Sequence, residues 1–205
     1  MGKTKLLLIG AGGHASSCID LIEETERFRI VGIIGKNNEL GRYVQGYEVI
    51  GSDLNIESLR KITKNVVLGI GQIKSPKTRM EISDLFVKNG FSFKSVFSST
   101  SRISKNAQIN EGTVVMHNVT INTGVKIGKY SIINTGAILE HGAGVGDYVH
   151  VSTGVIVNGE SRVGKGTFIG SGTVIKEQTI IGDNCLIGMG QFVRKNLPDN
   201  SRYIG

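Results

Sequence analysis

The sequence contains four histidines, whose side chains can take part in a wider range of chemistry than any others in the chain: His14, His117, His141 and His150. Two histidines four residues apart on a helix can bind a metal ion, but no pair here has that spacing. We therefore predict no catalytic metal. A single imidazole can act as a general base near neutral pH, and the alternative is a surface or subunit-interface residue.

Other common catalytic motifs are absent from the sequence. It contains no G-x-S-x-G element, no Walker motif and no cysteine–histidine arrangement. The two cysteines, Cys18 and Cys185, are far apart and lack metal-ligand spacing. Two buried free thiols are therefore expected.

A glycine-rich turn, GAGGHA, occupies residues 10–15 directly after an apolar run. It is similar to the dinucleotide-binding fingerprint, but its third glycine is misplaced. Small residues at a helix N-terminus let backbone N–H groups approach a phosphate or a sugar, so the turn either binds a ligand or only connects a strand to a helix. A whole NAD molecule is disfavoured because residues 33–36 (IIGK) offer no acidic residue for a ribose.

The net charge of +7 and the pI near 9.5 come from scattered basic residues without interleaved aromatic residues. This pattern does not predict nucleic-acid binding, and it fits either a solvated surface or a surface for phosphorylated small molecules. The N-terminal apolar run is too short for a signal peptide or a membrane span. A cytoplasmic protein is therefore expected.

The first 97 residues alternate between strand and helix patterns. Strands are predicted at Lys5–Ile9, Ile30–Ile34, Val66–Ile70 and Phe91–Phe97, and helices at Ala15–Glu24, near Ile56–Ile62 and after Pro76. This alternation predicts a small parallel α/β sheet, a Rossmann-like domain over residues 1–97.

The pattern changes after Phe97, because aliphatic residues then recur at every sixth position without a miss. These residues are Ile109, Val115, Ile121, Ile127, Ile133, Leu139, Val145, Val151, Val157, Val163, Ile169, Ile175, Ile181, Ile187 and Val193. Neither a helix nor an ordinary strand has this period, whereas a triangular coil of three hexads per turn does. We predict a hexapeptide-repeat β-helix over residues 98–205, with left-handed coiling expected from the fold class.

Two segments of this repeat, INTGAILEH (residues 133–141) and VGDYVHVS (145–152), resemble the core of a family of sugar acyltransferases. This family includes sialic acid O-acetyltransferases and the N-acetyltransferases of bacillosamine- and perosamine-type amino-sugar pathways. The GAGGHA turn and VLGIG (67–71) are similar to the same family, and residues 152–159 and 167–171 look most like its sialic acid branch.

The resemblance implies an acetyl-CoA-dependent enzyme that works as a homotrimer, with acetyl-CoA lying along the prism between two subunits. His141 matches the family's catalytic base, which deprotonates the acceptor during direct transfer. His150 matches a position near the acetyl end of acetyl-CoA, and Ser171 and Met189 match positions that contact its pantetheine and nucleotide parts.

The resemblance also implies a substrate site at Gly12, Gly13, His14 and Gly71. The substrate would be a sialic-acid-type sugar or a nucleotide-linked amino sugar used for surface glycans. Members acting on UDP-sugars often carry two aspartates after the second strand, and residues 35–38 (GKNN) lack them. A UDP-sugar is therefore disfavoured.

A second departure concerns the catalytic histidine, which in many members is followed directly by an acidic residue. Here that position is Gly142, and Glu140 precedes His141. Because neighbours in a strand point to opposite faces, Glu140 is expected to be a poor substitute. Gly142 is also the best support for one alternative, a non-catalytic scaffold or binding protein.

The other alternative is an acyltransferase with a non-sugar acceptor such as serine. Serine-type enzymes of this prism class have a helical N-terminal domain. The predicted α/β domain here weighs against that alternative.

Overall fold

The computed structural model of the protein describes residues 2–205, which form two compact units. The first contains residues 2–71 and 78–96, and the second contains 72–77 together with 97–205. The predicted domains cover residues 1–97 and 98–205, whereas in this division residues 72–77 and Phe97 cluster with the second unit.

The first unit is built on a six-stranded sheet with three helices. The strands are β1 (Thr4–Ile9), β2 (Phe28–Ile34), β3 (Tyr43–Val44), β4 (Tyr47–Gly51), β5 (Asn65–Leu68) and β6 (Ser92–Phe93), and the helices are α1 (Gly13–Glu24), α2 (Ile56–Ile62) and α3 (Lys77–Lys88). The strand order is β3-β4-β2-β1-β5-β6, and every pair is parallel except the β3–β4 hairpin. The predicted Rossmann-like α/β fold is confirmed.

Strand β1 lies at the centre of this sheet, and its residues Leu6, Leu7 and Leu8 are fully buried. A continuous apolar run is typical of a parallel strand that is covered on both faces. The predicted strand over 91–97 divides at residues 94–95, because β6 pairs with β5 while the next strand joins a sheet of the second unit.

The second unit is a left-handed parallel β-helix, as predicted. Its two-residue strands are, in chain order, β7 (Val96–Phe97), β8 (Arg102–Ile103), β9 (Gln108–Ile109), β10 (Val114–Val115), β11 (Thr120–Ile121), β12 (Lys126–Ile127), β13 (Ile132–Ile133), β14 (Ile138–Leu139), β15 (Gly144–Val145), β16 (His150–Val151), β17 (Ile156–Val157), β18 (Arg162–Val163), β19 (Phe168–Ile169), β20 (Val174–Ile175), β21 (Ile180–Ile181), β22 (Leu186–Ile187), β23 (Phe192–Val193) and β24 (Arg202–Tyr203). Partners in neighbouring coils stand 18 residues apart, as Ile133 pairs with Val151.

These strands form three flat sheets around a triangular prism. The first face carries β7, β10, β13, β16, β19, β22 and β24, the second carries β8, β11, β14, β17, β20 and β23, and the third carries β9, β12, β15, β18 and β21. We call the turn from the first to the second face the first corner, and the turn from the second to the third face the second corner.

The second residue of each strand points into the prism, where Val151, Ile169 and Ile187 have no exposed surface. The first residue of each strand points outward. The repeating aliphatic residue therefore positions an outer surface on which side chains form columns at 18-residue spacing.

Candidate active site

His141 lies on the second corner, in the turn that follows β14. Its side chain is 66% exposed. The backbone beneath that side chain is fixed by both neighbouring coils, because the carbonyl of His141 accepts from Glu160 N at 3.0 Å and Gly142 N donates to the carbonyl of Thr123 at 3.0 Å. The corner thus presents an exposed imidazole on a rigid backbone.

The imidazole of His141 rests on the backbone of Gly159, one coil further along. A Cβ atom at residue 159 would lie 2.6 Å from Cε1 and 2.7 Å from Nε2 of the ring, closer than side-chain atoms approach one another. Gly159 has no positive φ, so the turn itself does not require glycine. The ring can occupy this position because residue 159 has no side chain.

Glu140 lies beside His141, with its Oε2 atom 4.0 Å from Nδ1 of the imidazole. The same oxygen accepts a hydrogen bond of 2.8 Å from Nδ2 of Asn122. The prediction that Glu140 points away is wrong, because β14 ends at Leu139 and the strand rule of alternating faces does not apply in the corner.

An open groove surrounds the imidazole on this side of the corner. It is lined by Glu140, His141, Asn158, Gly159, Glu160, Glu177 and Gln178. Three of these residues are acidic, so the groove has a negative potential that favours a cationic or hydrogen-donating group next to the base.

A second groove lies on the third face and reaches the same corner at Gly142. Its lining consists of Gly124, Lys126, Gly142, Gly144, Val145, Gly146, Arg162 and Val163. Nη1 of Arg162 donates to the carbonyl of Gly142 and, at 3.4 Å, to that of Ser161. The corner that carries His141 therefore has carboxylates on one side and a fixed guanidinium on the other.

His150 points outward from the first face but is only 8% exposed. Its Nδ1 lies 2.5 Å from the carbonyl oxygen of Gln72, and its Nε2 lies 3.4 Å from Nδ2 of Asn134. The ring also meets Phe168 edge-on at 5.2 Å. Because a carbonyl can only accept, Nδ1 carries a proton, and in the neutral ring Nε2 is the acceptor that faces Asn134.

Ser171 and Met189 occupy the first corner, 18 residues apart and therefore in one column. Both are exposed, Met189 to 79%. His150, which was predicted to lie near the acetyl end of acetyl-CoA, is on the adjoining first face. Within one chain the structure places Ser171 and Met189 at a different corner from His141 and His150 on a different face, so it does not bring these three residues together with His141.

The predicted substrate residues cluster at one edge of the α/β sheet. Gly12 is the N-cap of α1, Gly13 begins this helix, and no other atom would lie within 4 Å of a Cβ at either position. His14 lies beside the loop after β5, because a Cβ at Gly71 would be 3.3 Å from the Cβ of His14. The four residues therefore line one open turn.

A buried arginine and a buried cysteine support this turn from below. Arg79 in α3 is 1% exposed and donates to the carbonyl of Ile70, which fixes the loop that carries Gly71. Cys18 Sγ lies 3.6 Å from Nε2 of His14, and burial raises the pKa of the Cys18 thiol to about 12. Cys18 and Cys185 are both free and buried, as predicted.

Two kinds of feature are absent from the described residues, a metal-binding cluster and a membrane-spanning helix. In residues 2–205 no group of three or more histidine, cysteine, aspartate or glutamate side chains is placed to hold a metal ion. Over the same stretch, the helices are all too short or too polar to cross a membrane.

Several contacts of the candidate residues were missed by sequence reasoning. Asn122 and Gly159 stand one coil away from Glu140 and His141, and the 18-residue coil period is the signal that could have found them. Gln72 and Asn134 contact His150 across 78 and 16 residues, and no periodicity in the sequence points to those pairs.

Comparison with protein families gives two matches. Residues 5–85 match the PglD N-terminal domain, and residues 160–190 match the bacterial transferase hexapeptide (six repeats). No curated protein matches the chain.

Three solved structures share the fold over almost the whole chain. A mutant of perosamine N-acetyltransferase from Caulobacter crescentus, in complex with CoA and GDP-perosamine, is 28% identical with a TM-score of 0.92, covering 98% of this chain and 93% of that one. The acetyltransferase domain of PglB from Neisseria gonorrhoeae FA1090, in complex with acetyl coenzyme A, is 26% identical with a TM-score of 0.89, covering 100% and 97%. WeeI from Acinetobacter baumannii AYE is 25% identical with a TM-score of 0.84, covering 98% and 97%. The resemblance to hexapeptide-repeat sugar acyltransferases predicted from the sequence is confirmed.

Proposed function

We propose that this chain, which joins a PglD-type N-terminal domain to a hexapeptide prism, is an acetyl-CoA-dependent sugar acetyltransferase with His141 as its general base. The observation that carries the proposal is the setting of His141: an exposed imidazole fixed over Gly159 on a prism corner, with a carboxylate beside Nδ1. The acetyltransferases that share the fold favour an enzyme over a non-catalytic scaffold.

The chemistry is a direct transfer. Nε2 of His141 takes the proton of the acceptor N–H or O–H as that atom attacks the thioester carbonyl. The C–S bond breaks when the tetrahedral intermediate collapses, and the imidazolium returns its proton to the thiolate of CoA. No bond forms between the acetyl group and the protein.

Acetyl-CoA binding is assigned to His150, Ser171 and Met189. Ser171 and Met189 form an exposed column along the first corner, which suits an extended ligand. His150 stands beside that corner with its Nε2 directed to Asn134. The neighbours solved with CoA or acetyl-CoA support a ligand of this kind.

A homotrimer would complete the site. The outer surface of the second face carries an apolar stripe that is only partly buried, comprising Ile138, Ile156, Val174 and Phe192. This face lies between the corner of His141 and the corner of Ser171 and Met189. Packing it against another copy would set the base of one subunit beside the acetyl-CoA column of the next.

The acceptor is proposed to be an amino sugar, held by the turn of Gly12, Gly13, His14 and Gly71. The acidic groove around His141 favours an amine over a neutral hydroxyl. A nucleotide-linked sugar is preferred because one neighbour was solved with GDP-perosamine. A sialic-acid-type acceptor is the second candidate, supported by the sequence of residues 152–159 and 167–171.

The test is an assay of CoA thiol release from acetyl-CoA with a panel of GDP- and UDP-linked amino sugars and free sialic acids. We expect turnover with at least one amino sugar and a decrease in kcat of about 100- to 10,000-fold for His141→Ala. Calorimetric titration with acetyl-CoA and the melting temperature serve as controls, and both should be unchanged in the variant.

Two outcomes would contradict the proposal. Turnover with no member of the panel would favour a scaffold or a non-sugar acceptor. A His141→Ala variant that keeps more than a tenth of the activity would show that another group is the base.

A further inference from the structure

Glycine follows His141 in this chain, so the residue after the base supplies no carboxylate to orient it. Residue 142 has φ +66°, and a Cβ there would lie 3.4 Å from Cγ of Glu160. The side chain of Glu160 therefore occupies the space beside this position. An orienting group for the imidazole must come from elsewhere on the corner.

We propose that Glu140 is the positioning residue of His141, acting through Nδ1, and that Asn122 holds its carboxylate in place. The proposal rests on the proposed function, because it assigns the part that Glu140 takes in the same reaction. A carboxylate on one ring nitrogen selects the tautomer in which the other nitrogen is the free base.

The contacts of Glu140 fit this role. Its Oε2 lies 4.0 Å from Nδ1 of His141 and accepts a 2.8 Å hydrogen bond from Nδ2 of Asn122. Asn122 is itself fixed, since its backbone N donates to the carbonyl of Leu139 at 2.9 Å. Two adjoining coils thus hold the carboxylate on the Nδ1 side and leave Nε2 for the acceptor.

The other charged groups near the imidazole are engaged differently. Glu160 lines the same groove but accepts a 2.9 Å hydrogen bond from Nε2 of Gln178, on the next coil. Glu177 also lines this groove, and its Oε1 lies 3.7 Å from Nζ of Lys176. Arg162 is directed to the carbonyl of Gly142 on the opposite side. Glu140 is the carboxylate that the structure pairs with the ring.

The pair is partly exposed, since 36% of the Glu140 side chain and 66% of the His141 side chain are accessible. Water therefore screens the attraction between the two charges. The expected contribution of Glu140 is therefore orientation of the ring and choice of its tautomer.

The experiment compares Glu140→Gln, Glu140→Asp and Glu160→Gln in the assay above. Glu140→Gln should lower kcat about tenfold with little change in KM for acetyl-CoA. Glu160→Gln removes the same charge from the same groove without removing the Glu140–His141 contact, and its kcat should fall less.

The 15N NMR signals of the imidazole ring report the tautomer and give a readout that does not depend on turnover. The His141 signals, assigned by their loss in His141→Ala, should show the proton on Nδ1 in the parent and in Glu140→Asp, which keeps the carboxylate, and a mixture of tautomers in Glu140→Gln.

Three results separate the possible failures. Equal losses of kcat in Glu140→Gln and Glu160→Gln would overturn the positioning role, since only the general field of the groove would matter. A loss of kcat in Glu140→Gln with the tautomer of His141 unchanged would also overturn it, because a structural defect would explain the loss. Retained activity in His141→Ala would instead contradict the proposed function itself.

Discussion

The imidazole of His141 is largely exposed to solvent, and at this corner Gly159 supports it. The ring lies directly on the glycine backbone, with Cε1 and Nε2 closest to it. Any side chain at this position would occupy the volume of the ring. The role proposed for His141 therefore depends on a residue that has no functional group of its own.

Gly159→Ala tests this dependence. Its Cβ would lie 2.6 Å from Cε1, so the imidazole must rotate away, and we expect kcat to fall at least tenfold. The melting temperature should change little, because residue 159 has no positive φ that only glycine favours and the side chain above it is exposed. Steady-state kinetics and a thermal melt measure the two effects, and a kcat equal to that of the parent would show that the ring has another productive orientation.

At this scale the sequence predicted the candidate base but not its surroundings. His141 and the turn of Gly12 to His14 were identified because their motifs are contiguous. Asn122 and Gly159 were missed, since their contacts depend on which coils stack. Glu140 was assigned to the wrong side because a strand rule was applied to a corner residue.

At the scale of the elements, strands of two residues cannot be stable alone, and stacking is what holds them. Each strand directs one aliphatic side chain into the prism, and the inner residues form one continuous core. Strand β21 shows the difference between inward and outward positions clearly, because Ile181 is 1% exposed and its neighbour Ile180 is 56% exposed.

The matched pair Ile181→Ala and Ile180→Ala measures what the inner position contributes. Ile181→Ala should cost about 2–4 kcal/mol of unfolding free energy, through lost burial and the cavity that remains. Ile180→Ala should cost less than about 0.5 kcal/mol, because its side chain is largely in water. Denaturant titration of both variants gives the difference, and similar midpoints would contradict the inward assignment of the aliphatic repeat.

The prism was predictable because its period of six is strict and matches no other regular structure. The α/β unit was predicted less completely. The third strand ends at Leu68 rather than Ile70, and the fourth divides between two sheets. Apolar composition alone does not show where a strand exchanges one partner for another.

At the scale of the whole molecule, the proposed base and the proposed acetyl-CoA column lie at opposite edges of the second face. The apolar stripe between them, with Ile156 near its middle, lies outside the buried core of the prism. Both facts are explained if this face packs against a second subunit. The assembly would then be a condition of catalysis.

Ile156→Glu tests the assembly. A charge on the second face should disrupt subunit packing, so we expect the mass in solution to fall from trimer to monomer and activity to fall at least tenfold. Sedimentation equilibrium measures the mass, and circular dichroism should show that the prism persists. Arg162→Glu places the same charged side chain on the third face, and it should leave the mass unchanged. This variant is a control for the mass measurement and not for activity.

The coil period also restricts how this chain can change in length. Because each hexad occupies one face, deleting six residues would rotate everything that follows by a third of a turn and move each outer column to the next face. Deleting 18 residues would preserve every column but displace the later part by one strand spacing, about 4.8 Å. Between Glu140 and the last coil, the chain length can therefore change only by whole coils of 18 residues if the site is to keep its geometry. An enzyme whose site lies on surface loops tolerates insertions of single residues.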